Sequence, residues 1–491
     1  MTSPLDTAEH PEKLRKVVIE PVSRVEGHGK VTILLDDQKK VHQVRLHIVE
    51  FRGFERFVQG RPYWEIPVMV QRLCGICPVS HHLAASKALD SVVGARTLTR
   101  TAELIRRLMH YGQMLQSHAL HFYHLASPDL LFGFDSPVAQ RNIVGVLSAY
   151  PEIARQGILL RKYGQEVIRV TAGRRIHGTG SIPGGVNKAV TEAERDELLE
   201  PLPQIFEWAR SGLRLVAELH RKNPELYARF GTARSNLLSL VGRDGKLDLY
   251  DGVLRARDAD GQIIFDGVEC WDYAAKLHEN VRSWSYMKFP FISSLGAEAG
   301  WYKVGPLARL QNCDSVGTPL ADAARDEWLS SAPSRPMHGS LSFHWARLIE
   351  LLHAAEVIAD LLADPELLGD DLVRSGPRQG PSVGIIEAPR GTLIHHYEVD
   401  DQDLVTMCNL IVSTTHNNRA MNEAIRDVAL QYLDGHEPSE GLLNHIEVAI
   451  RAFDPCLSCA THALGKMPLW VEIVDADGVL VERLERDGER L

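Results

Sequence analysis

The chain has 491 residues, 44% of them hydrophobic and 24% charged, with a formal net charge of −10. These proportions belong to an ordinary folded globule and exclude a disordered, collagen-like or small disulfide-stapled chain, while the mild acidity argues against a nucleic-acid binder, which needs clustered positive charge. No apolar run reaches the roughly eighteen residues of a membrane span, residues 1–16 lack the apolar core of a signal peptide, and seven scattered cysteines suit a reducing, cytoplasmic setting.

Residues 15–20 and 29–50 are rich in β-branched side chains, with a turn at Asp36-Asp37-Gln38, and predict an N-terminal β-meander. From residue 64 to about 229 the pattern is helical. Leu104, Ile105, Leu108, Tyr111, Met114 and Leu115 recur at spacings of three and four within 98–125, and Pro151 opens a further helix to about residue 170. A Gly/Ser/Pro loop at 178–185 precedes a long amphipathic stretch at 191–229. Short β runs at 236–266 predict a small inserted sheet. Helical periodicity returns at 341–364, 402–410 and 417–450, and the tail at 470–484 alternates around Asp475-Ala476-Asp477-Gly478, a hairpin signal. There is no internal repeat. The expected class is α+β, mainly α: a large helical body with small peripheral β elements. Its expected segments are an N-terminal β region (1–62), a helical body (63–235), a β insertion (236–270), a second helical body (271–462) and a C-terminal segment (463–491).

Two motifs carry chemistry. Arg72-Leu73-Cys74-Gly75-Ile76-Cys77 opens the helical region, and Asp454-Pro455-Cys456-Leu457-Ser458-Cys459 lies near the C-terminus. A Cys-x-x-Cys lets two thiolates converge on one ion, and four thiolates favour zinc, iron or nickel. Spacing alone leaves open a structural zinc site with four cysteine ligands. Such sites usually staple a small local unit, however, whereas these pairs come from opposite ends of a chain with an ample core. A thioredoxin-like pair would need a βαβ context that neither motif has.

The flanking segments are Arg24-Val25-Glu26-Gly27-His28, Phe51-Arg52-Gly53-Phe54-Glu55, Glu387-Ala388-Pro389-Arg390-Gly391 and Cys459-Ala460-Thr461-His462. With the two cysteine pairs they resemble the large, catalytic subunit of nickel–iron hydrogenases, from about residue 15 to 462. Within that family the likeness is greatest to the cytosolic NAD-reducing branch, through residues 51–60, 284–290 and 454–465.

The resemblance implies the fold of that large subunit and an Ni-Fe(CN)2(CO) centre. Cys74, Cys77, Cys456 and Cys459 would bind nickel, with Cys77 and Cys459 also bridging to iron. It implies heterolytic cleavage of H2, with Cys456 taking the proton and Glu26 relaying it. Arg390 would stand over the open metal position, and Thr414 would donate to a cyanide, although Ser413 and His416 depart from the family's usual Pro and Trp. Glu55, the Leu410 carbonyl and His462 would hold a magnesium or similar divalent ion, and His81 would support the bridging cysteine. Family precursors end in an extension cut after this histidine, so residues 463–491 are expected to be a propeptide removed by a maturation endopeptidase.

Other features read more plainly. His118, His121 and His124 share a helical face and are expected to be packed, hydrogen-bonded rings. Ser117 stands where many relatives carry Asp. Cys270, Cys313 and Cys408 are expected to be inert buried thiols. No cysteine set remains for an iron–sulfur cluster, so electrons need a partner: by resemblance, a small subunit with an iron–sulfur cluster, then diaphorase subunits with flavin that reduce NAD. The loop at 178–185 fails the dinucleotide spacing, so no NAD, flavin or iron–sulfur cluster is expected on this chain. NADP, a deazaflavin or a thiol–disulfide partner are the alternative acceptors. A catalytically empty relative, as in respiratory complex I, would have lost the cysteines.

Overall fold

Alternating β-branched residues build the N-terminal sheet as expected. Arg15–Ile19 pairs antiparallel with Gly29–Leu35, which pairs with Val41–Ile48. The computed structural model describes residues 5–332 and 335–461, together with two strands of the tail, Leu469–Val474 and Leu480–Arg486. Among the described residues no helix is long and apolar enough to cross a membrane.

The helical body is organised on Ser342–Ala363, which is buried on nearly every side and is accordingly apolar around most of its circumference. Arg100–Leu120 and Leu202–Lys222 pack against it, and Pro151–Ala172 packs on Arg100–Leu120. Thr99 caps Arg100–Leu120 by accepting the Ala102 N–H. Pro151 starts its helix, and Gly173, at φ 78°, ends it in the left-handed conformation. The stretch at 191–229 is three helices, Glu192–Leu199, Leu202–Lys222 and Pro224–Arg229, because Pro201 and Pro224 interrupt the backbone ladder.

The inserted sheet contains Asn236–Val241, Val253–Arg257 and Ile263–Val268, and gains a fourth strand, Tyr302–Lys303, which pairs parallel with the first. A second sheet, Ser382–Ala388, Gly391–Val399 and Val405–Ile411, replaces the helix expected at 402–410. Val405, Cys408, Leu410 and Ile411 are buried while Thr406 is exposed. The three-and-four spacing of Leu404, Met407, Cys408 and Ile411 imitates a helix, but a buried sheet edge favours β-branched Val and Ile. The helical run expected at 417–450 is likewise divided, into Asn418–Val428, a wider π turn at Ala429–Leu433, and Glu440–Ala452, which Ser439 caps by accepting the Leu442 N–H.

The glycine-rich loop is a short hairpin, Ser181–Ile182 with Gly185–Val186. A Cβ on Gly185 would lie 2.0 Å from the Leu372 carbonyl, so this glycine serves close packing. In the tail, Leu469–Val474 pairs antiparallel with Leu480–Arg486, the hairpin read from the alternation; its turn lies outside the described residues. One buried cluster joins side chains from Ile19 to Ala460. That shared core brings the N-terminal sheet and the second cysteine motif together.

Candidate metal centre

The first cysteine pair leaves a tight turn at Gln71–Leu73. Cys74 is extended, and Cys77 stands at the N-terminus of the helix Pro78–Leu89. Cys74 Sγ accepts the N–H groups of Ile76 at 3.1 Å and Cys77 at 3.3 Å. The second pair follows the helix Glu440–Ala452, where Asp454 turns the chain at φ 57° before Pro455. Cys74 and Cys456, separated by 382 positions, have their sulfurs 3.3 Å apart. The sulfurs of Cys77 and Cys459 are 3.7 Å apart, and those of Cys456 and Cys459 2.7 Å.

All four ligand atoms lie within 4.8 Å of one another, all are buried, and among the described residues they form the one such group of His, Cys, Asp or Glu donors. None is in a disulfide. Burial pushes the Cys456 and Cys459 thiols well above the ordinary range, while hydrogen bonds from Cys456, Cys459 and Cys77 pull Cys74 well below it. Four crowded sulfurs in a dry pocket do not ionise together without a cation. The set is therefore built for a thiophilic metal, whose charge stabilises the thiolates.

Glu26 reaches the centre from the N-terminal end. Its backbone carbonyl accepts the Leu457 N–H at 2.9 Å. Its Oε2 accepts from Cys456 Sγ at 3.0 Å and from the Ser458 N–H at 3.2 Å. Gly27, at φ +82°, makes the approach possible, because a Cβ there would lie 2.6 Å from Ser458 N. Arg24 anchors the segment by donating to Asp129 at 2.6 Å, and Arg451 holds the same carboxylate. Burial, then the charge on Cys74, raises the Glu26 carboxyl above its usual range. Beyond it, the Ser458 hydroxyl donates to Glu50 at 2.8 Å, and Glu50 contacts exposed His28.

On the other side a small pocket is lined by Cys77, His81, Leu393, Thr414, Cys459 and Arg390. Arg390 Nη2 donates to Asp454 at 3.0 Å, while its Nε and Nη1 are buried without a protein partner. Those spare donors fit a pocket that takes small acceptor ligands beside the sulfurs. Thr414 Oγ1 accepts the Cys456 N–H at 2.9 Å, and Ser413 donates to the Gly391 carbonyl at 2.7 Å. Asp454 was visible in the Asp-Pro-Cys motif, yet its pairing with Arg390 had no sequence signal.

Glu55 is buried, and its Oε1 accepts the Leu410 N–H at 2.8 Å; Lys288 Nζ lies 3.8 Å away. The contact to Leu410 is thus through its N–H and not through the carbonyl expected as a cation ligand, and His462 lies outside the described residues. His81 Nδ1 is 3.1 Å from His395 Nε2, and His395 Nδ1 is 2.7 Å from the Tyr397 hydroxyl, a buried chain that sequence reading missed because His81 lies 314 positions from His395. His118 meets Glu350 at 3.0 Å and His121 meets the Arg451 carbonyl at 2.7 Å. His124 lies within the π turn His121–Ala126 and is half-buried. Ser117 is buried with its hydroxyl unpaired. Cys270 and Cys313 are buried thiols pushed up to about 11 and about 12.

The sequence matches the nickel-dependent hydrogenase profile over residues 52–132 and 250–462, and a HoxL-like profile over 16–51. The beta subunit of the NAD-reducing hydrogenase HoxS of Cupriavidus necator is 48% identical over 487 residues, 96% of this chain and 100% of that one. The corresponding chain of an F420-non-reducing hydrogenase from Methanothermobacter thermautotrophicus is 42% identical, with the same shares covered. Among solved structures, an NAD+-reducing [NiFe]-hydrogenase in the H2-reduced state superposes with TM-score 0.89 at 57% identity, covering 91% of this chain and 99% of that one. The Ni-Fe-Se hydrogenase of D. vulgaris Hildenborough, at 24% identity and TM-score 0.72, shares the fold.

Proposed function

The chain belongs to the nickel-dependent hydrogenase family, and on that footing we propose that it is the catalytic large subunit of a nickel–iron hydrogenase, interconverting H2 with protons and electrons. The observation that carries this reading is the four-sulfur cluster, buried and drawn from both ends of the chain. Cys74 and Cys456 would bind nickel alone, and Cys77 and Cys459 would bridge to an iron carrying one carbon monoxide and two cyanides. The bound metal pair supplies the heterolytic cleavage of hydrogen.

The chain's own residues handle the proton. Cys456 Sγ takes it, and Glu26, in direct hydrogen-bond contact, accepts it from the sulfur. Burial, then the charge on Cys74, raises its carboxyl above the usual range, which favours the protonated form that a relay must pass through. Ser458, Glu50 and His28 continue the contacts to the surface. Arg390 lines the pocket and has two N–H-bearing nitrogens without a protein partner; these would donate to a cyanide and to incoming ligands, and Thr414 would orient the other cyanide. Glu55, Leu410 and His462 would hold a magnesium ion that pins the C-terminal segment.

The electron acceptor is read as NAD, reached through a small subunit with an iron–sulfur cluster and flavin-containing diaphorase subunits in the cytoplasm. The NAD-reducing relatives at 48% and 57% identity support this. Relatives named F420-non-reducing at 42% show why the acceptor is assigned at the level of the whole assembly. The hydrogenase profile ends at residue 462, which supports reading 463–491 as a propeptide cut by a maturation endopeptidase.

Metal analysis of the purified complex tests the assignment. Nickel and iron in equal amounts, with infrared bands of bound cyanide and carbon monoxide, are expected. Zinc alone would replace the reading with a structural four-cysteine site.

A further inference from the structure

Arg390 sits in the two-residue turn between Ser382–Ala388 and Gly391–Val399, where Ala388 pairs with Gly391. A tight hairpin tip is normally free to rock, yet the carbonyls of this one are either gripped or tightly packed. Fully buried Arg309, from the helix Pro306–Asn312, donates from Nη1 to the Ala388 carbonyl at 2.7 Å and from Nη2 to the Pro389 carbonyl at 3.3 Å. Gly305 packs so closely that a Cβ there would lie 2.8 Å from the Arg390 carbonyl. Ser413 donates to the Gly391 carbonyl.

The remaining Arg309 donors are also spent. Nε and Nη2 grip Glu350 at 2.7 and 2.6 Å, and Nη1 grips Glu387 at 2.8 Å. Glu350 is itself fixed by His118, and Glu387 accepts the Leu240 N–H and the Thr392 hydroxyl. A buried ion network that merely joined helices would need only the carboxylates. Here the fork also reaches the two carbonyls immediately before the residue that faces the sulfurs. A rigid guanidinium supplies five directed donors, which an ammonium cannot reproduce.

We propose that Arg309 is a positioning residue that fixes the aim of Arg390 into the metal pocket. This rests on the hydrogenase reading above. Infrared spectra of the metal-loaded complex separate the two: absent cyanide bands in the wild type would sink that reading, whereas the comparison of variants tests Arg309. Arg309→Lys keeps the charge and loses the fork. It is expected to retain nickel and iron in equal amounts, to shift or broaden the cyanide bands in the same sense as Arg390→Lys, and to lower H2 turnover about tenfold or more. Wild-type bands in loaded Arg309→Lys, with shifted bands in Arg390→Lys, would overturn the proposal. If Arg309→Lys does not accumulate as folded protein, Glu350→Gln stands in, with a smaller shift expected and unchanged bands overturning. Loss of folded protein in both variants would mark a purely structural ion network and also overturn it.

Discussion

The Glu26 carboxylate lies 3.0 Å from Cys456 Sγ, across 430 positions of sequence. A carboxyl held this way can exchange a proton with the sulfur without moving its backbone, because the same segment is bound through the Glu26 carbonyl and Arg24.

Glu26→Gln keeps the size and one acceptor oxygen but cannot carry the proton. Turnover is expected to fall by about 10² to 10⁴, the range of general acid–base catalysis, with metal content unchanged. Glu50→Gln is expected to give a smaller loss with a larger solvent isotope effect. Full activity in Glu26→Gln, measured as H2 uptake, would remove Glu26 from the path.

Cys74→Ser and Cys456→Ser should each abolish nickel retention, since a hydroxyl is a poor ligand for a thiophilic metal. Nickel quantified per chain after desalting is the measurement. Stoichiometric nickel in either variant would contradict the four-sulfur set.

Gly27→Ala tests the docking of the N-terminal segment. The substitution adds left-handed strain of roughly 1–2 kcal/mol and an overlap at Ser458 N that costs about 1–3 kcal/mol to relieve. Reduced thermal stability together with loss of metal is expected. A variant matching the wild type in both would show that the approach is looser than the geometry implies.

Acid should destabilise the chain as its buried histidines are forced to take up protons. Burial holds His82, His110 and His353 down to about 4, and His416 to about 3. Unfolded, each titrates near 6.5. Between those values the unfolded chain binds protons that the fold refuses, so stability is present above 6.5 and drains as pH falls toward 4, by up to about 1.4 kcal/mol per unit for each ring. Urea midpoints at pH 7.5, 6 and 5 should decline in that order, and a flat series would contradict the burial of these rings as neutral groups.

Much of the site was legible because its parts are short local motifs. The paired cysteines, Glu26, Glu55 and Arg390 each sit in a recognisable run of residues. His395 and Arg309 act through contacts that only the folded chain creates, and no local pattern marks them; Asp454 stands in the second cysteine motif, but its pairing with Arg390 is likewise a product of the fold. The fold divides the same way. Pro151, Thr99 and Gly173 announce helix ends locally, whereas Val405–Ile411 is a strand because Gly391–Val399 lies beside it, and pairing is invisible to periodicity within one segment.

The order of synthesis follows from where the sulfurs lie. A ribosome delivers Cys74 and Cys77 each 382 residues ahead of Cys456 and Cys459, so a polypeptide that stops between the two pairs owns half a donor set. A complete four-sulfur set therefore exists only after Cys459 has been made, and a message broken before it yields no partly armed centre.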